Sequence, residues 1–120
     1  MAHGEFTHVD IPIDDMDRAR SFYEALFGWK STAMDGFPDY EMVQPGPAGM
    51  GAGFGVRGKT APERPRLYVN VDSIDEAVAK LAGVGGAVVV EKTEIPGMGW
   101  YAAISDSEGN EIGIFESLAG

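Results

Sequence analysis

The chain of 120 residues has no cysteine, which excludes disulfide frameworks, thiolate metal sites and cysteine nucleophiles. Histidine is almost as scarce. His3 and His8 are the only two, too few for most histidine-based triads. Basic residues are also few: nine Lys and Arg against nineteen Asp and Glu, a net charge of −10 and a pI near 4.4. A field of that sign repels phosphate backbones and anionic lipid, so neither nucleic acid nor a membrane is an expected partner. No apolar run is long enough to span a bilayer, and no charged-then-apolar leader precedes the first strand-like segment. A cytoplasmic location is the expectation. The acidic residues are scattered rather than blocked, which suits solubility more than cation binding.

What is present is core-forming material, 44% hydrophobic residues, enough for one domain over residues 1–120. The stretch "FTHVDIPIDD" alternates: Val9, Ile11 and Ile13 share one face, and Phe6, His8, Asp10 and Pro12 share the other. The same pattern returns later. "VDIPIDDMDRA" from Val9 overlays "LYVNVDSIDEA" from Leu67, and Asp14 against Asp72 gives an offset of 72 − 14 = 58. At that offset Asp17 meets Asp75, Ala19 meets Ala77 and Gly28 meets Gly86. Two copies of one unit are implied.

Each copy reads as βαβββ. A strand (about 5–13, then 66–71) leads to a helix with Asp14 or Asp72 as its N-cap. Met16, Ala19, Phe22, Tyr23 and Leu26, and in the second copy Ile74, Ala77, Val78 and Leu81, recur at helical spacing. Gly28 and Gly85-Gly86 stop the helices. Strands are expected at about 29–34, 39–44 and 49–56, then 87–93, 99–105 and 110–116. "DGFPD", "PGPAG", "IPGMG" and "DSEGN" supply the turns between them. Repeat one covers about 5–56, repeat two about 66–117, and the polar segment 57–65 links them. Gly51, Gly53 and Gly55 weaken their strand and so imply close approach of another backbone or a ligand.

These residues resemble the vicinal oxygen chelate superfamily, which holds glyoxalase I, extradiol dioxygenases and bleomycin-resistance proteins. The resemblance rests on "HVDIPIDDMDRARSFYEALFGWK", with His8, Asp14, Phe22-Tyr23 and the Leu26-Phe27-Gly28 exit, and on the closing "DSEGNEIGIFE". It implies an α+β fold in which two βαβββ repeats form a curled mixed-sheet cup with helices outside. It also implies a homodimer. Metal-dependent members hold a divalent ion with four side chains. By that pattern His8 matches the first ligand and Arg66, at 8 + 58, takes the place of its repeat mate. Gly113 takes the place of the closing glutamate, and "MGAGFG" offers no donor for the fourth. A guanidinium has no lone pair for a metal, so no metal and no cofactor are expected. Glu111 and Glu116 are the nearby carboxylates that a change of register could bring in.

The expectation is therefore a metal-free small-molecule-binding protein. Its ligand-binding residues would be His8, Asp10, Phe54, Arg66, Tyr68, Asn70, Trp100 and Phe115, with Phe6, Met50 and Met98 as further apolar candidates. Arg66 suits an anion such as a carboxylate, and the aromatics suit a flat ring. The alternatives are a divalent-metal lyase, isomerase or dioxygenase, or a metal-free enzyme with His8 and Asp10 as catalytic candidates and His8 as base. A purely structural histidine, hydrogen-bonded to Asp10, is equally compatible with the residues. His3 is expected in a disordered terminal tail.

Overall fold

A computed structural model describes residues 2–44 and 50–118, so the expected "PGPAG" turn lies outside the described residues. The strands are β1 (Phe6–Ile13), β2 (Ser31–Met34), β3 (Phe37–Val43), β4 (Gly51–Val56), β5 (Arg66–Asn70), β6 (Ala87–Ile95), β7 (Gly99–Ser105) and β8 (Glu111–Ser117). The helices are α1 (Met16–Phe27) and α2 (Ile74–Leu81). The chain forms two compact units, His8–Arg66 and Met1–Thr7 with Leu67–Gly120.

The two units repeat one plan. In the first the order is β2-β3-β4-β1, antiparallel except for the parallel β4–β1 pair, which sets Asp10 beside Gly53 and Ile11 beside Phe54. In the second the order is β6-β7-β8-β5, again antiparallel except for β8–β5, which sets Tyr68 beside Gly113 and Asn70 beside Phe115. The fold is α+β with two βαβββ repeats, as the 58-residue offset implies.

Each helix covers one sheet face. Under α1 lie Ile13, Val43, Ala52 and Phe54, joined by Ile11, Met16, Ala19 and Tyr23. The Tyr23 ring stacks on Trp29 at 5.3 Å and meets Phe54 at 5.1 Å. Under α2 lie Val71, Ile74, Ala102 and Ile114, with Ala77, Val78, Trp100 and Ile104. Side chains buried as completely as Phe54 and Ile74 each contribute about 1.5–3 kcal/mol of transfer free energy. The same face of the first sheet carries a polar clamp. Arg20 donates to both carboxylate oxygens of Glu41, at 2.8 and 2.7 Å, and the Ser31 hydroxyl donates at 2.6 Å. The Arg20 bond holds the Glu41 carboxyl below the usual carboxylate range.

Several sequence expectations shift by a residue. The caps are Asp15, accepting from Arg18 N at 3.0 Å, and Ser73, accepting from Glu76 N at 3.1 Å. They are still repeat mates, since 73 − 15 = 58, and each accepts from the N–H three residues on. The expected caps do other work: Asp14 pairs with Arg57 at 3.1 Å, and Asp72 N donates to His3 Nδ1 at 3.0 Å. His3 is thus tied down, and its neighbours pair with β5 through Gly4 N to Asn70 O at 2.7 Å and Asn70 N to Glu5 O at 2.8 Å. Within "DGFPD" only Asp35 and Gly36 turn, because Phe37 already belongs to β3. Trp29 is left out of β2 and packs on Tyr23 instead.

The "DSEGN" turn behaves as expected. Asp106 Oδ1 accepts from Glu108 N and Asn110 N, each at 2.8 Å, and Oδ2 accepts from Asn110 Nδ2 at 3.1 Å. The bonds from Asn110 lead in holding the Asp106 carboxyl below its ordinary value. A depressed folded value contributes stability above the unfolded carboxylate pKa of about 3.9 and loses it as pH falls through the folded value. Urea denaturation of the wild type and Asp106→Asn should therefore differ most near neutral pH and converge in acid. A difference that does not change with pH would contradict this assignment.

Candidate functional site

In the first unit the site begins with β1. Its face away from α1 presents His8 and Asp10, whose side chains are only 20% and 10% exposed. His8 Nε2 lies 2.9 Å from Asp10 Oδ1. A third group completes the cluster, the Tyr40 hydroxyl, at 2.7 Å from His8 Nε2 and 2.5 Å from Asp10 Oδ1. The arrangement that satisfies all three has the phenol and the imidazole N–H both donating to the carboxylate.

Tyr40 belongs to β3, and β4 runs between β3 and β1. Neighbouring strands are about 4.8 Å apart, so the phenol must pass over β4 to reach Asp10. It does so at Gly53. A Cβ there would lie 1.9 Å from the Tyr40 hydroxyl oxygen. Gly55 serves a different approach, since a Cβ on it would meet the Thr60 carbonyl oxygen at 2.6 Å. The alternating glycines therefore admit one side chain and one backbone segment. The backbone that aims Tyr40 is unusual as well. Asp39 has φ +61°, a conformation uncommon outside glycine. It is held by Lys59 Nζ on Oδ2 at 2.5 Å and by the Thr60 hydroxyl on its carbonyl at 2.5 Å.

In the second unit the corresponding face of β5 and β8 carries Tyr68, Asn70, Gly113 and Phe115. Asp10 and Tyr68 are repeat mates at 10 + 58, and their strand partners are Gly53 and Gly113, so the two glycines hold equivalent places. Gly113 too lies beneath a tyrosine: a Cβ on it would be 2.3 Å from the Tyr68 ring. Tyr101 joins this face, edge-on to Tyr68 at 6.2 Å and opposite Phe115.

The sequence-derived candidates divide accordingly. His8 and Asp10 come together. Tyr68, Asn70 and Phe115 share one face of the second sheet, and Arg66 is buried at the start of β5. Phe54 does not belong with them. Its register with Ile11 turns it under α1, where it is 1% exposed. Trp100 likewise packs in the α2 core, with the Lys92 ammonium 5.2 Å from its ring. Phe6 and Met98 are exposed. Glu116 accepts from Ile74 N at 2.8 Å and so caps α2. Tyr40 and Tyr101 were missed, although alternation in "FPDYEMV" and "GWYAAIS" carries both.

The family's metal pattern can now be set against these residues. The four equivalent places hold His8, Gly53, Arg66 and Gly113, and the space a side chain would need at each glycine is filled by a tyrosine. Among the described residues no group of three or more His, Asp or Glu side chains could hold a metal ion. This donor set does not fit the four-ligand centre. Two open clefts of about 390 and 290 Å³ in the first unit are lined elsewhere, by residues including Lys30 and Met42, and Arg18 and Phe22.

Replacing Tyr40 with Phe keeps the ring over Gly53 and removes the bonds to Asp10 and His8. The expected cost is about 1–2 kcal/mol by chemical denaturation. An unchanged or raised stability would show that the hydroxyl contributes nothing to holding the cluster.

A family model described as a glyoxalase-like domain matches residues 7–115. CFP32 of Mycobacterium bovis and of Mycobacterium tuberculosis, named as a glyoxylase, is 33% identical over 98 residues, covering 80% of this chain but 38% of that protein. The chain thus spans well under half the length of these relatives. A glyoxylase-like domain-containing protein of Didymella fabae is 27% identical over 115 residues, 90% of each chain. Methylmalonyl-CoA epimerase from Mycobacterium tuberculosis shares the fold, with a TM-score of 0.67 at 18% identity over 95% of this chain and 87% of that one. The βαβββ repeat, the opening and closing motifs and the matched family model together make this chain a member of the glyoxalase-like family of the vicinal oxygen chelate superfamily.

Proposed function

We propose that the chain is a metal-free small-molecule-binding protein of the glyoxalase/bleomycin-resistance type, with His8, Asp10 and Tyr40 as the polar part of its ligand site. The observation that carries this reading is the tyrosine over each glycine, at two of the places where metal-dependent members bring ligands. Neither Gly53 nor Gly113 has a donor, and restoring one would require displacing Tyr40 or Tyr68. A single imidazole already engaged with a carboxylate and a phenol is a weak start for a divalent site.

A buried carboxylate and imidazole are costly to desolvate unless paired, and here they are paired. The cluster therefore gathers three polar groups on one sheet face, the kind of convergent polar set that orients a ligand in a small-molecule site. Arg66, Tyr68, Asn70 and Phe115 are proposed as further ligand contacts. The chain is also read as homodimeric, by analogy with the family, and as cytoplasmic. Its net charge of −10 argues against nucleic acid as a partner. Among the described residues no helix is long and apolar enough to cross a membrane.

The alternative is a divalent-metal enzyme, the direction in which relatives named for glyoxylase and epimerase activities point. The two are separated by equilibrating untagged protein with Zn²⁺, Ni²⁺, Mn²⁺ or Fe²⁺ and measuring bound metal by mass spectrometry. Substoichiometric metal, unchanged in His8→Ala, is the expected result. One ion per chain, lost in His8→Ala, would replace the proposal with the metal enzyme.

A further inference from the structure

Tyr40 is placed at some expense to the fold. Asp39 is held in a left-handed conformation uncommon outside glycine. Gly53 gives up a strand side chain to let the phenol pass. The phenol then reaches the cluster and bonds with both Asp10 and His8. The left-handed residue and the strand glycine both serve to bring one hydroxyl to one carboxylate and one imidazole.

Its neighbours indicate how. A nucleophile activated by a base, with a further group next to the base, is recognised by mutual hydrogen-bond distances. Here the phenol oxygen is 2.7 Å from His8 Nε2 and 2.5 Å from Asp10 Oδ1, and those two are 2.9 Å apart. With the Nε2–H and the phenol both donating to the carboxylate, Asp10 is the group placed to take the phenol proton, and the His8 N–H steadies the carboxylate beside it. The Tyr40 residue is half-buried rather than enclosed. Two other tyrosines stand among rings: Tyr23 packs against Trp29 and Phe54, and Tyr101 stands edge-on to Tyr68.

We propose that Tyr40 is a base-assisted nucleophile and that the class of molecule it takes is a small activated acyl compound. The phenol oxygen bonds to the acyl carbon as the bond from that carbon to the leaving oxygen breaks. The leaving group departs with its electron pair, and the phenol proton passes to the Asp10 carboxylate. No oxidant, reductant or metal enters the balance. The inference rests on the metal-free reading only in requiring that His8 face Tyr40 rather than an ion.

The test uses p-nitrophenyl acetate on the full chain in the presence of EDTA. Released nitrophenolate is followed by absorbance, and the acetylated residues are mapped by peptide mass spectrometry. The expected result is a burst of one nitrophenolate per chain, with acetyl on Tyr40 well ahead of Tyr101. His8→Gln and Asp10→Asn should each slow Tyr40 acetylation by about tenfold or more, with Tyr101 as the internal control for unfolding. Acetylation of Tyr40 no faster than Tyr101 in the wild-type chain overturns the proposal, as does a Tyr40 rate unchanged in both variants. Should the variants unfold, both tyrosines become reactive, and the wild-type comparison of Tyr40 with Tyr101 decides alone. Failure here leaves the metal-free reading standing, because that reading is decided by metal content.

Discussion

The site depends on an absent atom. Tyr40 on β3 can touch Asp10 and His8 on β1 only because the residue between them on β4 has no Cβ. Gly53 shows no left-handed backbone, so its value lies in space rather than in conformational freedom. Once the phenol lies across β4, the carboxylate of Asp10 gains two donors and can be buried without isolation. The histidine gains partners that fix its ring. The same arrangement consumes the room in which a metal ligand would project.

The remaining structure holds that crossing in place. On the opposite face Phe54, adjacent to Gly53, anchors β4 in the α1 core, while Ile11 and Ile13 anchor β1. Arg20 clamps Glu41, the residue after Tyr40, with two hydrogen bonds. The residue before Tyr40 is held by Lys59 and Thr60 from the segment that follows β4. Tyr40 is therefore fixed from both sides along the chain. Preorganisation of this kind is what lets a hydroxyl act at a defined point rather than sample several.

Much of this was legible in the sequence, and the limits are physical. The repeat, the strand alternation and the helix stops were readable because they depend on periodicity and on glycine. His8 and Asp10 were paired correctly because residues two apart on a strand share a face. Phe54 and Trp100 were misassigned because aromatic character does not reveal which face a residue takes; register with Ile11 and Glu116 does. Tyr40 was missed for a different reason. Its partners are 30 and 32 residues away, and only the strand order brings them together. The glycines were read as signs of close approach, and that was correct, but the approaching group at Gly53 is a side chain from the neighbouring strand.

The measurement that bears most directly on this account is a double-mutant cycle on Gly53 and Tyr40, read as unfolding free energy. Gly53→Ala should be destabilising in the wild-type background and nearly neutral with Tyr40→Ala, a coupling of about 1–3 kcal/mol. Equal costs in both backgrounds would mean that Gly53 serves some other need and that the crossing phenol is not the constraint around which the site is built.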